Sequence, residues 1–206
     1  MQFKDNHFVI ILLLLFISSV NLAGQNFDKT DWVLSTTEDN LKLYTRDSDQ
    51  SGVKEVRIKT EIANTLEELM SVLGNVSKYE SWVYKCSEAK MVKIVTENDY
   101  YYYSRYDLPF PLSDRDIVVR SRQWEKDGIF YSHSTLSRNM VSAKKSIVRI
   151  QEFDAHWRIT PKTNGVLEID YVVQTHPGGS LPNWAINLGI AKGPIETMKS
   201  LIKQLK

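Results

Sequence analysis

Residues 107–122 read DLPFPLSDRDIVVRSR, and the reading of this stretch decides the fold. Pro109 and Pro111 have no backbone N–H to give to a sheet, so a strand arriving from the N-terminal side ends here. Beyond them, Asp114, Arg115 and Asp116 run directly into Ile117, Val118 and Val119, a β-branched run that fits a pleated sheet. In a strand, Ile117, Val119 and Ser121 share one side, while Asp116, Val118, Arg120 and Arg122 share the other. The stretch therefore predicts a strand end, an ordered charged loop and a new strand with one apolar face.

The flanking sequence extends this pattern. In KEVRIKTEI (residues 54–62) Val56, Ile58, Thr60 and Ile62 alternate with Glu55, Arg57, Lys59 and Glu61, as a strand between a core and a polar face requires. LKLYTRD (residues 41–47) alternates less cleanly. In NTLEELMSVLG, Asn64 or Thr65 can cap a helix with Leu66, Leu69 and Leu73 on one side. Gly74 and Asn75 end it, and a second short helix through Tyr79 and Trp82 follows. Further strands are expected at 89–96, 100–108, 116–125, 129–137, 146–153, 155–160 and 166–176. Short turns such as Lys126-Asp127-Gly128 join several of them and require antiparallel neighbours.

From Pro182 to Lys206 the period changes. Trp184, Leu188, Ala191, Ile195, Met198, Ile202 and Leu205 recur at spacings of four and three, which makes one apolar stripe along a long helix. Gly193-Pro194 is expected to kink or locally open it. A coiled coil would need more heptads than this segment holds. Many strands followed by one long helix give an α+β class, a curved antiparallel sheet wrapped around a C-terminal helix.

The chain has 206 residues and a formal charge of +1, a balance that argues against a polyanionic partner such as nucleic acid. Residues 1–24 have the layout of a secretory signal: Lys4, the apolar run FVIILLLLFI (residues 8–17), then small residues ending at Ala23 and Gly24. An uncleaved anchor is the competing reading, but the run is shorter than the about 20 residues of a membrane span. The expectation is an exported protein, periplasmic or secreted, with residues 25–206 as a single domain. Cys86 is the only cysteine, so no internal disulfide can form and stability must come from packing.

Candidate chemistry is sparse. Asp107, Asp114 and Asp116 invite a two-carboxylate mechanism, but Arg115 and Arg120 nearby favour ionisation of all three rather than one neutral acid. His133, His156 and His176 fall on different expected strands. His156 alternates with Trp157 and shares parity with Arg158, and His176 shares parity with Glu168 and Asp170. Both therefore point to the polar face, and no metal site is expected. There is no GxSxG elbow, Cys86 has no evident histidine partner, and Gly178-Gly179 lacks phosphate-loop spacing. The tyrosine run 100–103 reads as strand packing in the absence of a basic stripe.

Taken together, PFPLSDRDIVV (residues 109–119), AHWRITP (155–161) and IDYVVQTHPGGSLPNWAINLGIAKGPIETMKSL (169–201) closely resemble the START domains, the StAR-related lipid-transfer family. The resemblance spans about residues 30–206. It implies a helix-grip fold enclosing an apolar tunnel that holds one lipid or other hydrophobic small molecule, with the helix and an adjacent loop as a lid. It implies no cofactor and no catalysis, although related helix-grip proteins include cyclases and hydrolases acting on hydrophobic substrates. A carrier of this kind also meets a membrane surface in transit. Family members often carry a tunnel-facing arginine five residues after the motif aspartate; here that place is Ser121. The expected lining is Tyr101, Tyr103, Arg105, Ile117, Val119, Ser121, Trp157, Tyr171, Val173, Trp184, Leu188 and Ala191. Arg105 is the candidate substitute for the displaced arginine.

Overall fold

The computed structural model describes residues 27, 30–48, 53–181 and 183–205, and in the last helix it does not describe the side chains of residues 183–185, 187–189 and 191. The expected signal segment lies outside the described residues. The elements run β1 (Val33–Glu38), β2 (Leu41–Arg46), β3 (Glu55–Ala63), α1 (Leu66–Gly74), α2 (Tyr79–Trp82), β4 (Cys86–Thr96), β5 (Asp99–Tyr106) and β6 (Arg115–Lys126). They continue with β7 (Ile129–Leu136), β8 (Val148–Arg149), β9 (Glu152–Pro161), β10 (Val166–His176) and α3 (Asn183–Gln204).

One sheet takes every strand, in the order β1-β2-β3-β10-β9-β7-β6-β5-β4, with β8 alongside β6. Its long pairs are antiparallel hairpins, as the short turns require, and the sheet curves around α3. The non-local join is β3 to β10, which runs from Val166↔Ala63 to Val173↔Val56. This pairing ties the N-terminal strands to the last one and closes the grip. Thr65 caps α1 by accepting the Glu68 N–H at 3.2 Å; Leu69 and Leu73 then face the core. In α3, Ile195, Met198 and Leu201 are buried against that core. The helix continues through Pro194, whose ring nitrogen cannot donate to the carbonyl of Ile190. No helix among the described residues is long and apolar enough to cross a membrane.

Two expectations give way. The strand expected over 146–153 is instead the two-residue β8, parallel to the start of β6. Arg149 explains this: its guanidinium donates to both Asp116 carboxylate oxygens, at 2.6 and 3.1 Å. The N–H groups of Val148 and Ile150 bond the carbonyls of Asp114 and Asp116. The segment is captured before it can extend, and Phe153 joins β9. The first half of the polar face of β3 is not solvated either, although Glu61 farther along is exposed. Glu55 and Arg57 are buried, Arg57 donating to Asp170 at 2.8 and 2.6 Å and Arg46 pairing with Glu55. Trp32 lies over Arg46 at 4.4 Å and Phe27 over Arg158 at 4.6 Å, so N-terminal aromatics roof this side.

Candidate ligand cavity

Between the concave face of the sheet and the helices lies a cavity of about 520 Å³, within the range of sites that enclose small molecules. Strand alternation sends Tyr100, Tyr102 and Tyr106 of β5 into it, with Trp157 of β9 and Tyr171 of β10; α2 adds Tyr79 and Trp82. Tyr79 packs edge-on against Trp82 (5.2 Å) and Tyr102 (5.4 Å), and Trp157 lies 4.3 Å from Tyr171. Burial pushes the phenols of Tyr79, Tyr102, Tyr106 and Tyr171 up from their ordinary range, so they stay neutral.

One polar patch interrupts the aromatic wall. Ser121 of β6 pairs directly with Ser134 of β7, and Gln123 with Ser132. The Ser134 hydroxyl donates to Ser121 Oγ at 3.2 Å, and the Ser121 and Ser132 hydroxyls stand 3.4 Å apart. Gln123 Nε2 donates to the Tyr100 hydroxyl at 3.0 Å. Three hydroxyls joined by two contacts keep one O–H and several lone pairs in hand. Trp82 Nε1 is buried without a hydrogen-bond partner. Apart from Arg115, Lys54 and Lys85 the described wall is uncharged, and it carries no carboxylate and no imidazole.

The mouth is built around Arg115. Its guanidinium donates to the carbonyls of Pro177 and Gly178, each at 3.3 Å, and to that of Ser113. Burial lowers its pKa, in keeping with a cation satisfied by carbonyls rather than by an acid. Gly178 has φ +70, and a Cβ there would stand 2.9 Å from the Arg149 carbonyl, so the turn into α3 requires glycine. Leu108, Pro109 and Leu112 line the opening, with the exposed cations Lys54 and Lys85 also on its wall. Between them Phe110 is 97% exposed.

The acidic cluster does not reach the cavity. Arg105 pairs with Asp114, whose carboxyl is held below the usual range by that hydrogen bond. Asp107 accepts from Ser87 and Asp116 from Arg149.

Of the expected lining residues, Ile117, Ser121, Trp157, Tyr171 and Val173 are on the wall. Val119 shares their side but packs behind the surface with Ile117 and Ile150. Tyr101, Tyr103 and Arg105 are corrections: they lie on the convex face. Tyr101 pairs with Arg120 across the strands and lies under its guanidinium at 5.5 Å. Tyr103 is covered by Lys90 and Lys144. Directly paired residues share a face, and Tyr100↔Ser121 fixes the even-numbered tyrosines inside. Arg105 is spent on Asp114, so it does not replace the displaced arginine. The side chains of Trp184, Leu188 and Ala191 lie outside the described residues; α3 meets the cavity through Ile186, Ile190, Gly193, Pro194 and Thr197. The serines at 132 and 134 went unread, although their parity with Phe130 marks one face of β7.

Comparison with known proteins places this architecture. The START domain family model matches residues 20–206. An uncharacterized protein of Pseudomonas aeruginosa is 30% identical over 172 residues, covering 83% of this chain and 85% of that protein. Two of the solved structures that share the fold illustrate it. A STAR-related lipid transfer protein from Xanthomonas axonopodis superposes with a TM-score of 0.79 at 22% identity, over 85% of this chain and 99% of that one. Human StAR-related lipid transfer protein 5 gives 0.78 at 16% identity, over 88% and 89%.

Proposed function

The chain belongs to the START domain family, and from that premise we propose that it binds one lipid or similarly hydrophobic small molecule in the cavity and carries it. The observation that supports this reading is the wall itself: about 520 Å³ bounded by neutral aromatic side chains, with a single patch of serine hydroxyls. An alkyl chain entering such a space gains about 0.8 kcal/mol per buried CH₂. A buried polar group on the ligand needs a partner, and Ser121, Ser132 and Ser134 supply neutral ones. The ligand is therefore a molecule whose inward end carries an uncharged hydroxyl, ester or amide. Residues 1–24 direct export, and exposed Phe110 at the mouth meets the membrane surface during loading.

The competing reading is an enzyme acting on a hydrophobic substrate in the same cavity. It would require a general acid and base on the wall; the described wall offers phenols held neutral, serines, an arginine bonded to carbonyls and two exposed lysines, and no carboxylate or imidazole.

Native mass spectrometry of protein purified from its own organism tests the proposal. One lipid-sized adduct per chain, released by organic solvent and uncharged at its inward end, is expected. Protein that is consistently empty and takes up no fluorescent lipid overturns it.

A further inference from the structure

On the convex face, away from the cavity, β7 and β9 bring two imidazoles and a carboxylate together. His133 and His156 are direct cross-strand partners, and Asp154 stands two residues before His156 on the same face. The rings stack with centroids 4.1 Å apart and planes 11° from parallel. His133 Nε2 lies 3.0 Å from Asp154 Oδ2, and His156 Nε2 pairs with the other oxygen, Oδ1. All three donor atoms fall within 4.8 Å of one another. Both histidines are buried, while the Asp154 side chain keeps 40% exposure and gives an ion a route in.

The partners of this carboxylate set it apart. Three other aspartates on the same face are answered by guanidinium: Asp170 by Arg57 and Arg158, Asp99 by Arg120, Asp116 by Arg149. Asp154 is answered by two imidazoles instead. A guanidinium keeps its proton and binds no metal; a neutral imidazole presents a lone pair. Each imidazole turns its Nε2 toward a carboxylate oxygen of Asp154, and a neutral ring making that bond carries its proton on Nε2. Moving that proton to Nδ1 turns both nitrogens into ligands beside the same carboxylate.

We propose that His133, Asp154 and His156 form a binding site for a divalent first-row transition-metal ion of the zinc type. Zinc holds imidazole nitrogen and carboxylate oxygen at about 2.0–2.2 Å, which puts tetrahedral donors roughly 3.3 Å apart. The three donors need to close by at most about 1.5 Å, a rotation of side chains on two central strands. Two nitrogens and one oxygen suit zinc, copper or nickel rather than calcium or magnesium. Three protein ligands leave one position to water. The ion staples β7 to β9 beneath Phe27, whose ring stands edge-on to His156 at 6.2 Å. The site is independent of what the cavity holds.

Calorimetric titration of chelator-stripped protein with Zn²⁺ near neutral pH tests it. One equivalent is expected to bind, with Cu²⁺ binding more tightly. His133→Asn and His156→Asn should each weaken Zn²⁺ at least about tenfold, since even supporting groups around a metal carry that much, and the double variant should abolish it. His176→Asn serves as the control that leaves binding unchanged. Circular dichroism melts show whether each variant is folded, and Zn²⁺ should raise the melting temperature of wild type but not of the double variant. No binding by wild type, or equal binding by wild type and the folded double variant, overturns the proposal.

Discussion

The concave and convex faces of the sheet are built from alternate residues of the same strands, yet they do opposite things. On β3, Val56 faces the cavity and Arg57 faces out, and the two are 2% and 7% exposed. Burial therefore does not distinguish them. On the convex side Arg46, Arg57, Arg120, Arg149 and Arg158 are each answered by an acid of the chain, and Trp32 and Phe27 close the roof. On the concave side the aromatic wall stops short of filling its space, and the serine patch and Trp82 Nε1 keep hydrogen-bonding capacity unspent. On the convex side the guanidinium–carboxylate pairs stabilise the fold, while the concave side leaves open a cavity of about 520 Å³.

The largest effect expected from breaking this contrast lies on the convex face. Asp170→Ala removes the acid shared by Arg57 and Arg158 and leaves buried positive charge uncompensated. It should cost about 3–5 kcal/mol in urea denaturation while leaving the bound adduct in native mass spectra unchanged.

The converse test sits on the concave face. Converting Ser121, Ser132 and Ser134 together to alanine removes donors and acceptors that mainly serve one another, so stability should hardly move. Affinity for the native ligand should fall about tenfold, or 1.4 kcal/mol, measured by displacement of a fluorescent lipid. If stability collapses and affinity holds, the two faces do not divide their labour as described.

The smallest effect is a pH dependence. The Asp154 carboxyl is depressed in the folded state, so its contribution is present above the unfolded carboxylate value of about 3.9 and is lost as pH falls toward the folded value. The urea midpoints of wild type and Asp154→Asn should differ near neutrality and converge below about pH 4.

Particular residues show how far the sequence could be read. The alternation of β3 and β6 was legible because apolar and charged residues take opposite parities there, and Ile117, Ser121 and Trp157 were placed on the correct side. β5 was not legible. In Tyr100 to Tyr103 both parities are aromatic, so hydropathy carries no contrast, and only the pairing Tyr100↔Ser121 decides which tyrosines face in. The serine patch was hidden for a related reason. Ser132 and Ser134 flank His133, so the middle of β7 looks polar at both parities, and only its register against β6 brings three hydroxyls together. His156 was rightly read as facing the polar side, but that side is where His133 meets it.

By itself the sequence determined most of the element order after β1, a helix cap at Asn64 or Thr65, the antiparallel hairpins, the glycine turn before α3 and the START family, because these rest on local periodicity, turn chemistry and motif. The tertiary structure decided the β3–β10 closure, the capture of residues 148–150 by β6 and the inward face of β5. It also decided the groups left facing space at the cavity and the imidazole pair on Asp154. Each of these depends on which distant backbone supplies the neighbouring strand, and a one-residue shift in that pairing would turn every side chain to the other face.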